Sequence, residues 1–257
     1  MITSTANAQV KNLAQLIKKS KARTEQGVYV VEGIKMFQEA PAEEIVKAYI
    51  SEDLFEKGTL AESLEGISYE VLKNDVFNHV ADTKTPQGIL CVMKQKKYTL
   101  DQLTKGDSPL LLVLENLQDP GNLGTMMRTA EGAGVTGVLL SRGCVDIYNP
   151  KTIRSTMGSI YRVPFLYTDD LLGAMDELHA KGICTYAAHL KGKGYYDEES
   201  YQKPTAFLIG NEGNGLSDEL SDKAKQYIKI PMEGKLESLN AAVAAAILMY
   251  EASRQRR

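Results

Sequence analysis

The sequence has no tryptophan and only three cysteines and three histidines in 257 residues. Cys91, Cys144 and Cys184 stand far apart and form no C-x-x-C, which argues against a disulfide framework and a zinc site. His79, His179 and His189 lack metal-binding spacing, so no metal is expected. Long apolar runs are missing as well. The longest, Ala241 to Tyr250, is half of the roughly 20 residues a membrane span needs. No signal-peptide core opens the chain, so the expected compartment is the cytoplasm, with no membrane partner. Excess positive charge is also absent: 30 Lys and Arg against 33 Asp and Glu leave a net charge of −3. Composition alone therefore does not announce a nucleic-acid partner.

The distribution of charge says more. Residues 1–24 carry Lys11, Lys18, Lys19, Lys21 and Arg23 and no acid, and the chain ends Arg254-Gln255-Arg256-Arg257. A locally basic face on an acidic protein can bind phosphate; the plainer alternative is a solvated helix face and a frayed tail.

Periodicity divides the chain. Val10, Leu13, Leu16 and Ile17 fall at helical spacing from Ala8 to Ser20. A strand at Val28–Val31, a helix from Ile34 to Glu39 and strand-like runs at Ala48–Ile50, Tyr69–Val71 and Gly88–Met93 complete a small α/β domain, residues 1–95. Residues 96–109 are polar, contain Gly and Pro, and read as a linker with one helical turn. From 110 to 257 strands alternate with helices, starting with the uninterrupted apolar run Leu110–Leu114, which predicts a strand buried on both faces. The expected fold is α/β, a mostly parallel sheet covered by helices.

Three segments of this second part carry chemistry. In the first, Leu110–Leu114 leads through Asp119-Pro120-Gly121-Asn122-Leu123-Gly124 into a helix expected over Leu123–Ala133, with Arg128 one turn inside. Asn122 offers a donor and acceptors. In the second, Phe207–Ile209 opens into Gly210-Asn211-Glu212-Gly213-Asn214-Gly215, a glycine loop at the end of a strand, where open α/β sheets bind ligands. Its spacing is neither the dinucleotide fingerprint nor a phosphate-binding P-loop. In the third, Ile230-Pro231-Met232 runs through a Gly turn to Ser238-Leu239-Asn240 and an Ala-rich helix. The exposed N–H groups and dipole at that opening suit a flat ligand held by main-chain atoms. Ser238 is either the cap of this helix or a ligand contact.

Taken together, Asn122/Gly124/Arg128, Gly210/Glu212/Gly213/Gly215 and Ile230/Pro231/Met232/Ser238/Leu239/Asn240 resemble the motifs of the SpoU (TrmH-type) branch of the SPOUT RNA methyltransferases. Asn7, Lys11, Arg23 and Val31-Glu32-Gly33 resemble that family's substrate-binding extension. The resemblance implies transfer of a methyl group from S-adenosylmethionine to a ribose 2′-oxygen of RNA, a C-terminal trefoil knot, and a homodimer paired through the knot. By this likeness Ile209, Gly210, Ile230, Met232, Ser238 and Leu239 hold the cofactor. Arg128 is the catalytic group, with Asn122, Glu212 and Asn240 beside it. Lys11, Lys18, Lys19, Lys21, Arg23 and Arg154 contact RNA. Arg154 is expected near the catalytic patch.

Ribosomal RNA is the first substrate expected and tRNA the second. Two readings of other classes remain: a non-catalytic RNA-binding assembly factor with the same fold, and a nucleotide-dependent metabolic enzyme on a doubly wound sheet. Intact motif residues count against the first. The missing phosphate fingerprint counts against the second.

Overall fold

The computed structural model describes residues 1–190, 192 and 194–257. Its strands are β1 (Val28–Glu32), β2 (Ile45–Ser51), β3 (Tyr69–Leu72), β4 (Ile89–Lys94), β5 (Leu110–Leu114), β6 (Gly137–Ser141), β7 (Phe165–Thr168), β8 (Cys184–Ala188), β9 (Gly194–Tyr195), β10 (Thr205–Ile209) and β11 (Gln226–Lys229). They form two sheets in two compact units. One unit is built from 1–96 and 146–161, the other from 97–145 and 162–257.

The first unit holds a four-stranded sheet in the order β1-β4-β2-β3. β4 runs antiparallel to β1 and β2, and β3 lies parallel to β2. The amphipathic helix Ala8–Lys18 turns Val10, Leu13, Leu16 and Ile17 onto this sheet, where they share a core with Val30, Leu72, Phe77 and Leu90. The helix ends at Lys19, whose extended backbone starts a second helix, Ser20–Gln26, closed by Gly27 in the left-handed region (φ 63°). The stretch 146–161 contributes the helix Pro150–Thr156, with Asn149 as its N-cap and Pro150 in the first turn. Its Ile147, Ile153 and Ile160 are buried. The sequence boundary at 95 describes only the first of the unit's two chain segments.

The second unit is a seven-stranded sheet in the order β7-β6-β5-β10-β8-β11-β9, and every registered pair is parallel. β5 and β10 lie at its centre. Every residue of Leu110–Leu114 is at most 1% exposed, as the apolar run predicts. Each such side chain contributes about 1.5–3 kcal/mol by leaving water. Within residues 96–109 a helix of a single turn stands at Leu100–Leu103. Thr99 and Gln102 cap it reciprocally and Leu103 is buried. The helix expected over Leu123–Ala133 begins earlier, at Pro120. Asp119 caps it by accepting from Asn122 N–H, and proline fits the first turn because no partner awaits its missing N–H. The last helix, Ala241–Gln255, buries Ala242, Ala245, Leu248, Met249 and Ala252. Its small side chains let it lie close to the helix Pro120–Ala133, where a Cβ on Gly132 would come within 2.9 Å of the Tyr250 hydroxyl.

Candidate active site

Three loops meet at the carboxyl ends of β5, β10 and β11. β5 ends in Glu115-Asn116, and Asn116 takes a positive φ of 52°, a conformation asparagine tolerates better than most residues. β10 ends in Gly210. β11 leads through Pro231 into the turn before Asn240.

Side chains stitch the loops together. The Glu212 carboxylate accepts from the N–H groups of Gln118 (3.0 Å) and Asp119 (2.9 Å) and from Asn122 Nδ2 (3.0 Å). A carboxylate can only accept, so Asn122 must turn its NH2 toward Glu212 and its Oδ1 away. That Oδ1 accepts from Asn240 Nδ2 at 3.0 Å. Asn240 is oriented in turn by its own Oδ1, which accepts from the N–H groups of Ala242 and Val243 and caps the last helix. The cap of that helix is therefore Asn240 and not Ser238. Desolvation pushes the Glu212 carboxyl upward, but the N–H bonds from Gln118, Asp119 and Asn122 outweigh it and hold its pKa below the ordinary value. The positive end of the helix Pro120–Ala133 acts in the same direction.

A second set of stitches was not anticipated from the sequence. Asn211 Nδ2 donates to the Asn116 carbonyl (2.8 Å), while its Oδ1 accepts from the N–H groups of Gly213 and Asn214 and folds the glycine loop. Glu115 accepts from both the N–H and the hydroxyl of Ser217 at 2.7 Å. The signal was polar side chains next to strand ends, Glu115 after β5 and Asn211 after β10, where side chains commonly replace backbone partners.

Against these loops lies a cavity of about 590 Å³. Ile209, Gly210, Ile230, Met232, Ser238 and Leu239, the six residues expected to hold a cofactor, all line it, as do Glu212 and Asn240. Its wall continues over Leu216, Ile228 and His189, whose ring lies 5.3 Å from that of Tyr227. Gly210 is required for a reason other than ligand access. A Cβ there would sit 2.1 Å from the Gly215 carbonyl carbon and 2.2 Å from Leu216 N, inside the loop's own backbone.

Arg128 lies exposed on the helix Pro120–Ala133 and makes no hydrogen bond or ion pair among the described residues. Lys11, Lys18, Lys19 and Lys21 are exposed on the first unit, and Lys21 pairs weakly with Glu25 at 3.7 Å. Arg23 departs from the expectation of an RNA contact. It is 4% exposed, donates to the carbonyls of Leu16 (2.8 Å) and Ile17 (3.1 Å), and pairs with Asp146 at 2.6 Å. It ties the helices of the first unit to the 146–161 segment. Arg154 belongs to the first unit, on the helix Pro150–Thr156. It pairs with Asp82 at 2.5 Å. Among the described residues no cluster of His, Cys, Asp and Glu could hold a metal, and no helix is long and apolar enough to cross a membrane.

Residues 109–250 match the model of the SpoU rRNA methylase family, more than half of the chain. The chain belongs to that family. Residues 7–91 match the MRM3-like substrate binding domain, so this SpoU-family RNA methyltransferase also carries the family's accessory unit. It is 37% identical over 251 residues to the 23S rRNA (guanosine(2553)-2′-O)-methyltransferase RlmP of Bacillus subtilis, covering 97% of each chain. An AdoMet-bound rRNA methyltransferase from Sinorhizobium meliloti superimposes with a TM-score of 0.86 at 30% identity, over 98% of this chain and 97% of that one. The AviRb SpoU methyltransferase of Streptomyces viridochromogenes, in complex with AdoMet, gives 0.89 at 26% identity, over 97% and 98%.

Proposed function

We propose that this SpoU-family enzyme transfers a methyl group from S-adenosylmethionine to a ribose 2′-hydroxyl of large-subunit rRNA. The observation that carries the reading is the relay Glu212–Asn122–Asn240, which draws three motif loops together at the cavity. Its volume falls in the range of small-molecule sites, roughly 300–1,000 Å³. Ile209, Ile230 and Leu239 offer flat apolar walls suited to an adenine, and the glycine loop offers main-chain groups for its edge. The residues present fit the cofactor. When bound, S-adenosylmethionine supplies an electrophilic methyl on a sulfonium, so the protein's main task is to activate the oxygen that attacks.

A ribose hydroxyl is a poor acid. Arg128 is the group assigned to it, as a guanidinium that stabilises the developing alkoxide and not as a base, because a guanidinium is donor-only and offers no acceptor for a proton. The proton then passes to an RNA phosphate or to water. Asn122 and Glu212 fix the opening of the helix that carries Arg128, and Asn240 aligns it with the cavity wall. The large-subunit target is favoured over tRNA by the 97% coverage of a 23S rRNA enzyme.

The N-terminal unit supplies RNA affinity through Lys11, Lys18, Lys19 and Lys21, with Arg23 as its internal brace. Two copies pair along the last helix, where Val243 and Tyr250 each remain 48% exposed. The chain between β10 and the last helix forms the trefoil knot, and the protein works in the cytoplasm. Calorimetry with S-adenosylhomocysteine tests the cofactor site: micromolar binding without metal, uncompeted by NAD or ATP, supports it, and absence of binding rejects it. Light scattering of wild type against Val243→Asp tests the dimer.

A further inference from the structure

The first unit has a second face that its RNA-binding role leaves unused. A cavity of about 410 Å³ opens beside the edge strand β3, floored by Ile50, Leu54, Leu60 and Leu64. Two aromatic rings stand at its mouth. Phe55 is 44% exposed and Tyr69 40%, with ring centroids 5.9 Å apart. Exposed aromatic pairs over an apolar recess are unusual on a surface facing only water.

The rim is acidic. Residues 52–65 contain Glu52, Asp53, Glu56, Glu62 and Glu65 against the single base Lys57. None of these five carboxylates forms an ion pair among the described residues; Asp53 alone is engaged, by the amide of Asn74. On the same unit Lys11, Lys18 and Lys19 extend from the helix Ala8–Lys18 and its end. Positive and negative charge are thus carried by different elements. RNA phosphate is repelled by the acidic rim and attracted by the lysines.

We propose that the Phe55–Tyr69 recess is a docking surface for a lysine- or arginine-rich protein segment bearing an apolar anchor. The anchor fills the recess, and the flanking cations meet Glu56, Glu62 and Glu65. Charge complementarity sets which partners approach, and the buried aromatic contact supplies the affinity. This site is separate from the cofactor cavity and does not depend on the methyl-transfer reading.

The test is an amide NMR titration of the full chain with a synthetic 15-residue Lys/Arg peptide carrying two central leucines. Two controls are the same peptide with serines for leucines and an oligouridine of equal length. Perturbations clustered at Phe55, Leu60 and Tyr69 support the proposal. So does affinity at least about tenfold weaker for the serine peptide, for the exposed charge reversal Glu56→Lys/Glu65→Lys, and for Phe55→Ala. The proposal is overturned by equal binding of the serine peptide, by no binding of the leucine peptide, or by oligouridine perturbing these same residues. It is equally overturned if they shift with protein concentration alone, which would mean a second copy covers the face.

Discussion

Asn122 accepts a hydrogen bond from Asn240 at 3.0 Å across 118 residues of chain. Each amide has its other end committed, Asn122 to Glu212 and Asn240 to the first turn of the last helix. Asn122→Ala should remove two loop-to-loop bonds worth about 1 kcal/mol each. Affinity for S-adenosylhomocysteine should then fall by about ten- to thirtyfold, measured by calorimetry. Asn122→Asp should be worse, because it faces one carboxylate with another. Equal loss in both variants would show that the charge of Glu212 is not part of the relay.

Glu212 ties acid stability to the site. Its folded pKa is depressed, so its contribution is present above the unfolded value near 4.3 and is lost as pH falls through the lower folded value. The difference in melting temperature between wild type and Glu212→Gln should be constant near neutrality and shrink below about pH 4. A difference that grows on acidification would contradict the sign.

The two predicted RNA-binding groups of the N-terminal cluster should separate experimentally. Arg23→Ala should destabilise the protein by about 3 kcal/mol, the low end for breaking a buried pair, because Asp146 keeps some contact with water. Neutralising Lys11, Lys18, Lys19 and Lys21 should leave the melting temperature nearly unchanged and reduce the salt slope of RNA binding. Denaturant melts and filter binding at several salt concentrations read the two effects.

A chain starting at Lys97 would retain the second unit but strip 146–161 of its partners, exposing Ile147, Ile153 and Ile160. It should aggregate or melt lower than the full chain. Replacing residues 146–161 with a short polar loop should restore a soluble unit that binds S-adenosylhomocysteine. Sedimentation and calorimetry of the two truncations decide this.

What could be read from the sequence follows from the range of the forces involved. The apolar run Leu110–Leu114 is a central strand because burial on both faces leaves no polar position. Gly210 follows its strand where the motif puts it because strand ends are local chemistry, whereas the last helix is capped by Asn240, two residues beyond the Ser238 that the sequence offered as a cap. Asp119-Pro120 is equally local and marked the true helix start, although the helix was expected at Leu123. The role of Arg23 was not legible. Its partner lies 123 residues away, and a count of charges cannot tell a solvated lysine from a guanidinium buried on two carbonyls. The assignment of 146–161 to the first unit depends on the same distant pairing.

Arg128 separates binding from chemistry. It makes no bond among the described residues, so Arg128→Ala should fold normally and bind S-adenosylhomocysteine within a few fold. Single-turnover methyl transfer should drop by about 10² or more, the loss typical of one preorganised charge-stabilising group. Arg128→Lys should recover only part of it, since an ammonium lacks the planar fork. A near-normal rate in the alanine variant would remove Arg128 from the mechanism.

The most direct measurement of the central claim is to incubate the protein with methyl-labelled S-adenosylmethionine and unmodified large-subunit rRNA, then digest the RNA and locate the label by mass spectrometry. The account predicts label on one 2′-O-methylated nucleoside, absent with Arg128→Ala. Label on a base, label on tRNA in preference to large-subunit rRNA, or no transfer by the wild-type protein would contradict it.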